Sequence, residues 1–404
     1  MLWTLIHILE ILIWLLLAAS GAYILFFALV SLLWKKPVSR LSMILTDQIM
    51  HLRKDQHYRF LVIFPAYGED SVIMGSVGSM LAQCYPYGDF RVAVVSDHMQ
   101  AATNEQLGRL HIALLQPTFE KSSKAKALQH AIAYFEGHKK EEGEFDFVVI
   151  LDADNVVDAD FLERLNDVCA KGYKAIQCHR CAKNSENDIA VLDGVSEEIN
   201  NTIFRKAHNR IGLSSALIGS GMCFDYRWFR SNVGNLSTAG EDRELEALLL
   251  RQRIYIHYEP EIHVYDEKVT NKDNFQRQRM RWMTAQVQSL LSLLPYLPHA
   301  IFTGNVDLVD KTIQQALIPR SMLIVLTFVF AVAVTLVVPV WGLKWWVLFV
   351  FICISLYVST PRRLRSHSLL GKIATIPTLV GKMLANLLKM DRRNTDFIHT
   401  THEG

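Results

Sequence analysis

The chain has 404 residues, of which 42 are Lys or Arg and 40 are Asp or Glu, so its formal net charge is +2. This near-neutral charge does not favour a nucleic acid or another polyanion as partner, because polyanion binding depends on an excess of positive charge. Hydrophobic residues make up 50% of the chain, and its length allows about two or three domains.

The N-terminal segment is almost entirely apolar from residue 3 to residue 34. Such a run is too long for the core of a signal peptide, and no small-residue cleavage site accompanies it. Because about 20 apolar residues suffice to span a bilayer, we expect residues 1–35 to form a transmembrane helix. Residues 36–56 carry apolar groups at roughly helical spacing beside Arg53 and Lys54, which predicts an amphipathic segment lying at the membrane surface.

Three short apolar runs follow, at residues 60–65, 92–95 and 148–151. They are rich in Val, Ile and Phe without polar alternation, which is typical of parallel strands covered by helices on both faces. Ligands of open parallel sheets bind outside the carboxyl ends of the strands. We therefore expect one crevice to gather the acidic residues that follow these runs, namely Glu69, Asp97, Asp152 and Asp154.

The sequence Asp-Ala-Asp occurs twice, and the two copies have different expected roles. Asp152 and Asp154 end a buried strand, where two carboxylates can share a divalent cation or divide between metal and ribose. Asp160, in the second copy, precedes Phe161-Leu162-Glu163, a capping-box pattern that opens a helix. We predict that the first copy is functional and that Asp160 is structural.

Two further polar segments have both an ordinary and a functional interpretation. Gly240-Glu241-Asp242 precedes a helical pattern, and a helix dipole alone favours acids there. The stretch from Gln278 to Trp282 follows a predicted strand at residues 253–258. It could form an ordinary amphipathic helix, or it could hold an anionic leaving group with Arg281 and stack Trp282 on a sugar ring.

The cysteines indicate no redox or metal role. Cys178 and Cys181 form the only C-x-x-C motif, and no second pair completes a zinc site. We interpret this segment as a strand with reduced thiols, as expected in a cytosolic environment.

The C-terminal part is again apolar. Residues 286–318, interrupted by Pro295 and Pro298, predict interfacial helices. Residues 319–360 contain apolar runs at 321–340 and 345–358, for which we expect two transmembrane helices; the shorter run would also suit a buried core helix. Residues 361–404 include a moderately apolar stretch, 368–390, with basic residues at both ends, which predicts an interfacial helix followed by a tail.

Basic residues flank the apolar spans on one side of the membrane. The excess of Lys and Arg on cytoplasmic segments then predicts that the central domain and the tail face the cytoplasm. The expected location is the plasma (cell inner) membrane, with several spans. The residues that set this orientation are Lys35, Lys36, Arg40, Arg320, Arg362, Arg363 and Arg365.

Taken in order, these motifs resemble membrane-bound glycosyltransferase family 2, the group that includes the synthases of hyaluronan, chitin and cellulose. The resemblance covers about residues 58–285 and extends to the flanking apolar segments. It implies a GT-A-type, Rossmann-like α/β domain at residues 57–285. The ordered motifs are Pro65-Ala66-Tyr67-Gly68-Glu69, Ser96-Asp97, Lys124-Ala125-Lys126-Ala127-Leu128, Asp152-Ala153-Asp154, Gly219-Ser220-Gly221, Gly240-Glu241-Asp242 and Gln278-Arg279-Met280-Arg281-Trp282.

The resemblance also implies roles for individual residues. The nucleotide would be bound by Ala66, Tyr67, Glu69, Asp97, Lys124, Asp152 and Ala153. A divalent metal, Mg²⁺ or Mn²⁺, would be held by Asp154 with Asp152, and Asp242 would be the general base. The acceptor and the diphosphate would lie against Gly219, Ser220, Gly221, Glu241, Gln278, Arg281 and Trp282.

Three positions depart from the family pattern or extend it. Many members have an Asn-Glu pair where this chain has Gly68-Glu69, so only Glu69 can act there through a side chain. His263 replaces a usually apolar residue and is a candidate third metal ligand, although an ordinary strand histidine fits the alternation as well. Glu267 matches a family acid that would support the acceptor site.

The implied reaction is inverting transfer of a sugar from a nucleotide donor, expected to be a UDP-sugar, to a growing polysaccharide. The alternative is transfer of one sugar to a lipid-linked acceptor. Expected partners are therefore the donor, a glycan or lipid-linked acceptor and membrane lipid, but no nucleic acid; an oligomer or a secretion partner stays open. A glycoside hydrolase would not need a D-x-D motif at a nucleotide crevice, and an inactive scaffold would not need Asp154, Asp242 and Trp282 together.

Overall fold

The computed structural model describes residues 1–34, 57–183, 188–238, 240–268 and 272–365. The predicted surface segment at 36–56 and the predicted helix at 368–390 lie outside these residues. Within them, eight strands form one sheet in the order β3-β2-β1-β4-β7-β6-β8-β5. The strands are β1 (Phe60–Tyr67), β2 (Phe90–Asp97), β3 (Ala113–Leu115), β4 (Phe147–Ile150), β5 (Val156–Val157), β6 (Ala175–Ala182), β7 (Met222–Asp225) and β8 (Ile256–Asp266).

The first half of the sheet is parallel, as the three apolar runs predicted. β1 lies between β2 and β4 and pairs with both in parallel, and β3 extends the sheet beyond β2. The second half is mixed, because β7 is antiparallel to both β4 and β6, whereas β6 and β8 are parallel. The sheet is therefore mixed rather than purely parallel.

Helices cover both faces of the sheet. In chain order the described α-helices up to the sheet's last strand are α1 (Leu2–Leu33), α2 (Ile73–Leu81), α3 (Ala101–Gly108), α4 (Lys124–Gly137), α5 (Lys139–Glu142), α6 (Phe161–Ala170), α7 (Asp188–Asn200), α8 (His208–Arg210), α9 (Tyr226–Asn232) and α10 (Glu241–Arg251). One apolar cluster packs α4, α9 and α10 on one face, and a second packs α2 and α6 on the other. Burial on both faces explains why β1, β2 and β4 lack polar alternation.

A seven-residue π-helix, Asn201–Ala207, continues α7 without a break. Ile203 and Ala207 on this turn are buried in a third apolar cluster that also contains Leu17, Ile24 and Phe27 of α1. Arg205 lies on the same turn and is also buried. The π-helix therefore joins the domain that contains the sheet to the first apolar helix.

In the described part of the chain, five α-helices follow β8: α11 (Lys272–Leu293), α12 (Leu297–Phe302), α13 (Val306–Ala316), α14 (Arg320–Val337) and α15 (Pro339–Ser359). Among the described residues, three helices are long and apolar enough to cross a membrane: α1, α14 and α15. Their limits agree with the predicted spans to within a few residues, except that α15 begins six residues earlier than the short apolar run suggested.

The expected side-chain cap at Asp160 is wrong. Asp160 is the N-cap residue of α6, but its carboxylate makes no capping hydrogen bond. It instead pairs with Arg164 at 2.9 Å, one turn along the helix, and both side chains are about half exposed. The structural role of Asp160 is therefore that of a surface ion pair, which contributes little to stability.

Candidate active site

The carboxyl ends of β1, β2 and β4 open into one pocket with a volume of about 350 Å³. This is the edge of the sheet where the apolar runs predicted a crevice. The loop before β7, the N-terminal ends of α4 and α10, and residues 278–285 of α11 also line the pocket. Predicted site residues that line the pocket are Ala66, Tyr67, Glu69, Asp97, Lys124, Asp152, Ala153, Asp154, Gly219, Glu241, Asp242, Glu267, Gln278, Arg281 and Trp282.

Lys124 is the central cation of this pocket. Its Nζ lies 2.5 Å from Asp152 Oδ1 and 3.3 Å from Glu241 Oε1, and it donates a hydrogen bond of 2.7 Å to the carbonyl oxygen of Gly219. Burial alone would lower the pKa of Lys124, but the carboxylates of Asp152 and Glu241 outweigh it and raise that pKa. Lys124 therefore stays protonated and offsets the charge of the two acids.

Glu241 is buried beside the more open Asp242 at the N-terminus of α10. Burial raises the pKa of Glu241 to about 7; Lys124 opposes this increase, and the neighbouring charges of Asp242 and Asp152 add to it. Asp242 accepts a hydrogen bond of 2.9 Å from the backbone N–H of Arg243. The pair thus places one carboxylate that titrates near neutrality next to one that faces the pocket.

The first Asp-Ala-Asp motif occupies the end of β4. Asp154 is buried and accepts hydrogen bonds from the backbone N–H of Glu267 at 2.9 Å and from Asn155 Nδ2 at 3.0 Å. These bonds fix one oxygen each and leave lone pairs for a further partner. Carboxylate oxygens are the donors that Mg²⁺ and Mn²⁺ prefer, so Asp154 and Asp152 fit a divalent cation.

The glycine loop before β7 approaches this motif through its backbone. Gly219 has φ +85° and Gly221 has φ +64°, a region that side-chain-bearing residues rarely adopt. Ser220, between them, is fully buried; its hydroxyl contacts Asn155 and accepts a 3.2 Å hydrogen bond from the backbone N–H of Asp152. Ser220 thus supports Asp152, whereas Gly221 donates its N–H to the carbonyl of Ile150 in β4. Neither Ser220 nor Gly221 lines the pocket, unlike Gly219.

His263 does not lie in the pocket. Its ring faces His179 on β6, with the two ring centroids 5.3 Å apart, and its Nδ1 is 3.9 Å from Asp158. The structure therefore does not place His263 with Asp154, and it is not a third ligand of a metal held there. The reason is alternation along β8: His263 and Asp266 point to opposite faces of the strand.

A second wall of the pocket consists of buried charges that the sequence analysis missed. Arg180 pairs with Glu197 at 3.0 Å and with Asp266 at 3.3 Å, and Glu197 also pairs with Arg205 at 3.2 Å. Lys268 completes this charged wall at 2.8 Å from Asp266. Burial would raise the pKa of Glu197, but Arg180 and Arg205 lower it well below its usual range.

Four buried polar atoms of pocket-lining side chains have no hydrogen-bond partner among the described residues: Nε of Arg180, Nε of Arg205, Oδ1 of Asp266 and Oε1 of Gln278. Arg180 Nε and Asp266 Oδ1 are in ion pairs, at 3.3 Å from Asp266 Oδ2 and at 2.8 Å from Lys268 Nζ. Within the described part of the chain, Nε of Arg205 and Oε1 of Gln278 are left without a polar partner. A buried polar group without a partner costs about 1–3 kcal/mol, so such groups mark places where a ligand or water completes the site. In the sequence, Arg180 lies inside the C-x-x-C motif, and the spacing of the two cysteines does not indicate that the arginine between them is a buried charge.

Comparison with known proteins agrees with this fold and pocket. A sequence model described as glycosyl transferase family group 2 matches residues 147–359, which is more than half of the chain, and one described as glycosyl transferase family 2 matches residues 61–230. The chain belongs to glycosyltransferase family 2, and it is therefore a glycosyltransferase with a GT-A-like fold.

One solved structure supports the same fold, and a second is similar at a lower score. The mannosyltransferase PcManGT from Pyrobaculum calidifontis, in complex with GDP-Man and Mn²⁺, has a TM-score of 0.52 at 17% identity, over 87% of this chain and 98% of that one. S. aureus TarS 1–349 in complex with UDP-GlcNAc has a TM-score of 0.40 at 14% identity, over 81% of this chain and 92% of that one. No protein of curated function matches the chain.

Proposed function

We propose that this protein is an inverting, metal-dependent glycosyltransferase that transfers a sugar from a nucleotide-sugar, expected to be a UDP-sugar, to an acceptor at the cytoplasmic face of a membrane. The observation that carries this proposal is the convergence of the predicted motifs on one pocket, with Asp152, Asp154, Lys124, Asp242 and Trp282 all among its lining residues. These residues come from four separate segments, and chance does not explain why they meet.

The donor would lie over the ends of β1, β2 and β4. Tyr67, Glu69 and Asp97 are then placed for the base and ribose, and Lys124 and Arg281 for the diphosphate. A divalent cation held by Asp154 and Asp152 would supply further positive charge to the leaving diphosphate. PcManGT, which shares this fold, was solved with Mn²⁺ and a GDP-sugar, so the base of the donor is a matter for direct testing.

The acceptor hydroxyl must lose a proton as the glycosidic bond forms. Asp242 faces the pocket and can accept that proton, while the buried Glu241 beside it is held by Lys124. We find one suitable base and assign no protein nucleophile, so displacement is direct and inverts the anomeric centre. The transition state resembles the oxocarbenium state of glycoside hydrolysis.

The charged wall would bind the acceptor. Arg180, Glu197 and Arg205 line the pocket and present both donors and acceptors, and Nε of Arg205 offers one more donor. Sugar hydroxyls both donate and accept, so such a mixed surface suits them. Because the π-helix packs on α1, this side of the pocket lies next to the apolar helices.

Membrane attachment would be through α1, α14 and α15, which meet the length and composition needed for spanning. The basic residues Arg320 and Arg363 then lie on the same side as the catalytic domain, as expected of a cytoplasmic face. We expect a multi-pass protein of the cell inner membrane.

Two acceptors deserve comparison. The family resemblance favours a growing polysaccharide, whereas the packing of the apolar helices favours a single transfer to a lipid-linked acceptor. The side chains of Thr327, Ser355 and Ser359 are buried among these helices and donate to backbone carbonyls of their own helix. Because these hydroxyls already bond within their own helices, they would not replace the hydrogen bonds to water of a polar chain that crosses the bilayer. One copy of the protein therefore provides few polar side chains to line a path for such a chain.

Product length at limiting enzyme and excess donor separates the two acceptors. Long chains formed while most acceptor is unused would establish polymer synthesis. One added sugar per acceptor at exhaustion would establish single transfer. Release of nucleoside diphosphate from a panel of nucleotide-sugars identifies the donor, and the absence of release from every donor tested with metal would contradict the proposed function.

A further inference from the structure

Three metal-binding side chains meet on the face of β6 and β8 that is turned away from the pocket wall. β6 and β8 are parallel, and His179 is in register with His263. Side chains alternate along a strand, so Cys181 shares the face of His179, while Arg180 between them points to the pocket. One donor atom from each of His179, Cys181 and His263 lies within 4.8 Å of the other two.

We propose that His179, Cys181 and His263 form a Zn²⁺ site that is separate from the donor pocket. Two imidazole nitrogens and one thiolate are the donor set that favours zinc over Mg²⁺ or Mn²⁺. Zinc binds these atoms at about 2.0–2.3 Å, so its tetrahedral ligands lie about 3.5 Å apart. Side-chain rotations that shorten the separations by about 1 Å bring this group to that geometry.

The surroundings of His179 fix its ring as they do in known metal sites. Its Nδ1 contacts the hydroxyl of Tyr258, and its Nε2 lies 3.2 Å from Oε1 of Glu198. A hydrogen bond to one ring nitrogen orients a ligating histidine and selects its tautomer. Glu198 is itself buried beside His179 and is placed to supply a fourth, oxygen ligand.

A cation already lies next to this group. Arg363, in the turn that follows α15, donates a 2.6 Å hydrogen bond to Glu198 Oε1. Its side chain is 64% exposed, so it can withdraw into solvent when another cation binds. The metal would hold β6, β8 and α7 together directly behind Arg180 and Asp266, and it would thereby keep the charged wall in place.

Cobalt titration of the intact protein tests this site by a signal that does not depend on activity. Co²⁺ bound by a thiolate gives a near-ultraviolet charge-transfer absorption, whereas Co²⁺ at Asp152 and Asp154 gives none, because only oxygen binds there. We expect a saturable band that Zn²⁺ abolishes by competition. Absence of the band, or a band that Zn²⁺ does not remove, would overturn the proposal.

Matched cysteine variants assign the band. Cys181→Ser should abolish it, and Cys178→Ser, on the opposite face of the same strand, should retain it. Asp154→Asn should leave it unchanged, so the zinc site and the proposed function can fail separately. An equal band in Cys181→Ser would show that the thiolate belongs to another site.

Histidine variants guard against loss of folding. His263→Gln alters a partly exposed side chain and should weaken Co²⁺ binding by more than about 10-fold while the Tm without metal is retained. His257→Gln, on the same strand but stacked on Tyr173, should bind Co²⁺ as the wild type does. Unchanged affinity in His263→Gln would also contradict the site.

Discussion

The charges of single residues decide how this pocket works. Asp152, Asp154, Glu241 and Asp242 would repel one another if all were ionised without compensation. Lys124 contacts two of them and the loop of Gly219, so it sets the local balance before any donor binds. When a donor binds with its diphosphate and a divalent cation, Lys124 already offsets part of the negative charge of the site.

Asp242→Asn keeps the size of the side chain and removes its ability to accept a proton. We expect sugar transfer to fall by about 10²- to 10⁴-fold, the usual contribution of a general base, with donor binding retained. Initial rates and donor binding by calorimetry measure both quantities. Asp160→Asn is the control, since its partner is only the surface residue Arg164. Turnover near the wild-type rate in Asp242→Asn would refute its assignment as the base.

Asp154→Asn retains a hydrogen-bond acceptor for the N–H of Glu267 but loses the negative charge that a cation needs. We expect donor affinity and its Mg²⁺ or Mn²⁺ dependence to fall together. Donor binding measured across a metal titration tests this. Asp160→Asn again serves as the control, with a stability change below about 0.5 kcal/mol, the scale of an exposed i,i+4 pair. If Asp160→Asn impaired donor binding more than Asp154→Asn, the second motif would be the functional one.

Glu241 gives the protein a pH-dependent stability with a definite sign. Its pKa of about 7 in the folded protein exceeds the ordinary value of 4.5, so the folded state binds the proton more tightly than the unfolded state. Stability from this group is therefore present below about pH 4.5 and is lost as the pH rises to about 7.

Glu241→Gln should remove this loss. Between pH 5 and about pH 7.5, the Tm of the variant should rise relative to the Tm of the wild type. The change should be equivalent to about 1–3 kcal/mol. Glu163→Gln, at an exposed position of α6, provides the control. A Tm difference that does not vary with pH would show that Glu241 does not titrate in this range.

The sequence predicted the pocket residues that follow strands, because burial of a strand is visible in its composition. It could not predict Arg180, Glu197 and Arg205, because their charges are buried only through pairing between distant segments. His263 was a candidate ligand for the donor metal because the sequence shows its position in the chain. The sequence does not show which face of β8 its side chain occupies. Asp160 shows a further limit: the capping pattern identified the helix start but not which partner the carboxylate takes.

At the scale of elements, the long apolar helices and the first parallel strands were the easiest features to predict. The sequence analysis did not predict the antiparallel β7, because the sequence of a four-residue strand does not indicate the direction in which the strand pairs. The π-helix was also invisible, since a shift from i+4 to i+5 hydrogen bonding leaves no pattern in the sequence. Yet this turn carries Arg205 to the pocket and Ile203 to α1.

An ion pair joins the N-terminal part of α1 to the N-terminal part of α15. Lys344 Nζ lies 2.7 Å from Oε2 of the buried Glu10, and the indole N–H of Trp345 donates to Oε1. Lys344→Met should destabilise the protein by about 1–3 kcal/mol, because it removes the permanently charged partner of a buried carboxylate and leaves it with His7 at 3.6 Å and the indole of Trp345.

The double variant Glu10→Gln, Lys344→Met removes both charges and should recover part of that loss. Thermal unfolding in one detergent compares the three proteins, and the pair is coupled if the double variant is the more stable of the two. A double variant less stable than Lys344→Met would mean that the pair does not act as one unit.

At the scale of the whole molecule, the proposed topology places the tail with the catalytic domain. A cysteine introduced at Thr400, in a variant without the exposed Cys84 and Cys353, should react with an impermeant maleimide only after the membrane is opened. A cysteine at Val340, at the start of α15, is the control and should react in intact cells. Labelling of the tail from outside would mean that residues 368–390 cross the bilayer.

The register of β8 against β6 restricts where this chain can gain or lose residues. Cys178 pairs with Glu259, but the next residue, His179, pairs with His263, so residues 260–262 have no partner on β6. Pro260 lacks the N–H that such a partner would need. This bulge reverses which face of β8 turns inward, and the charged wall and the histidine pair both depend on it. Gain or loss of a single amino acid between Glu259 and His263 would exchange the two faces beyond it, so insertions and deletions tolerated in most loops of this protein should be excluded from these three positions.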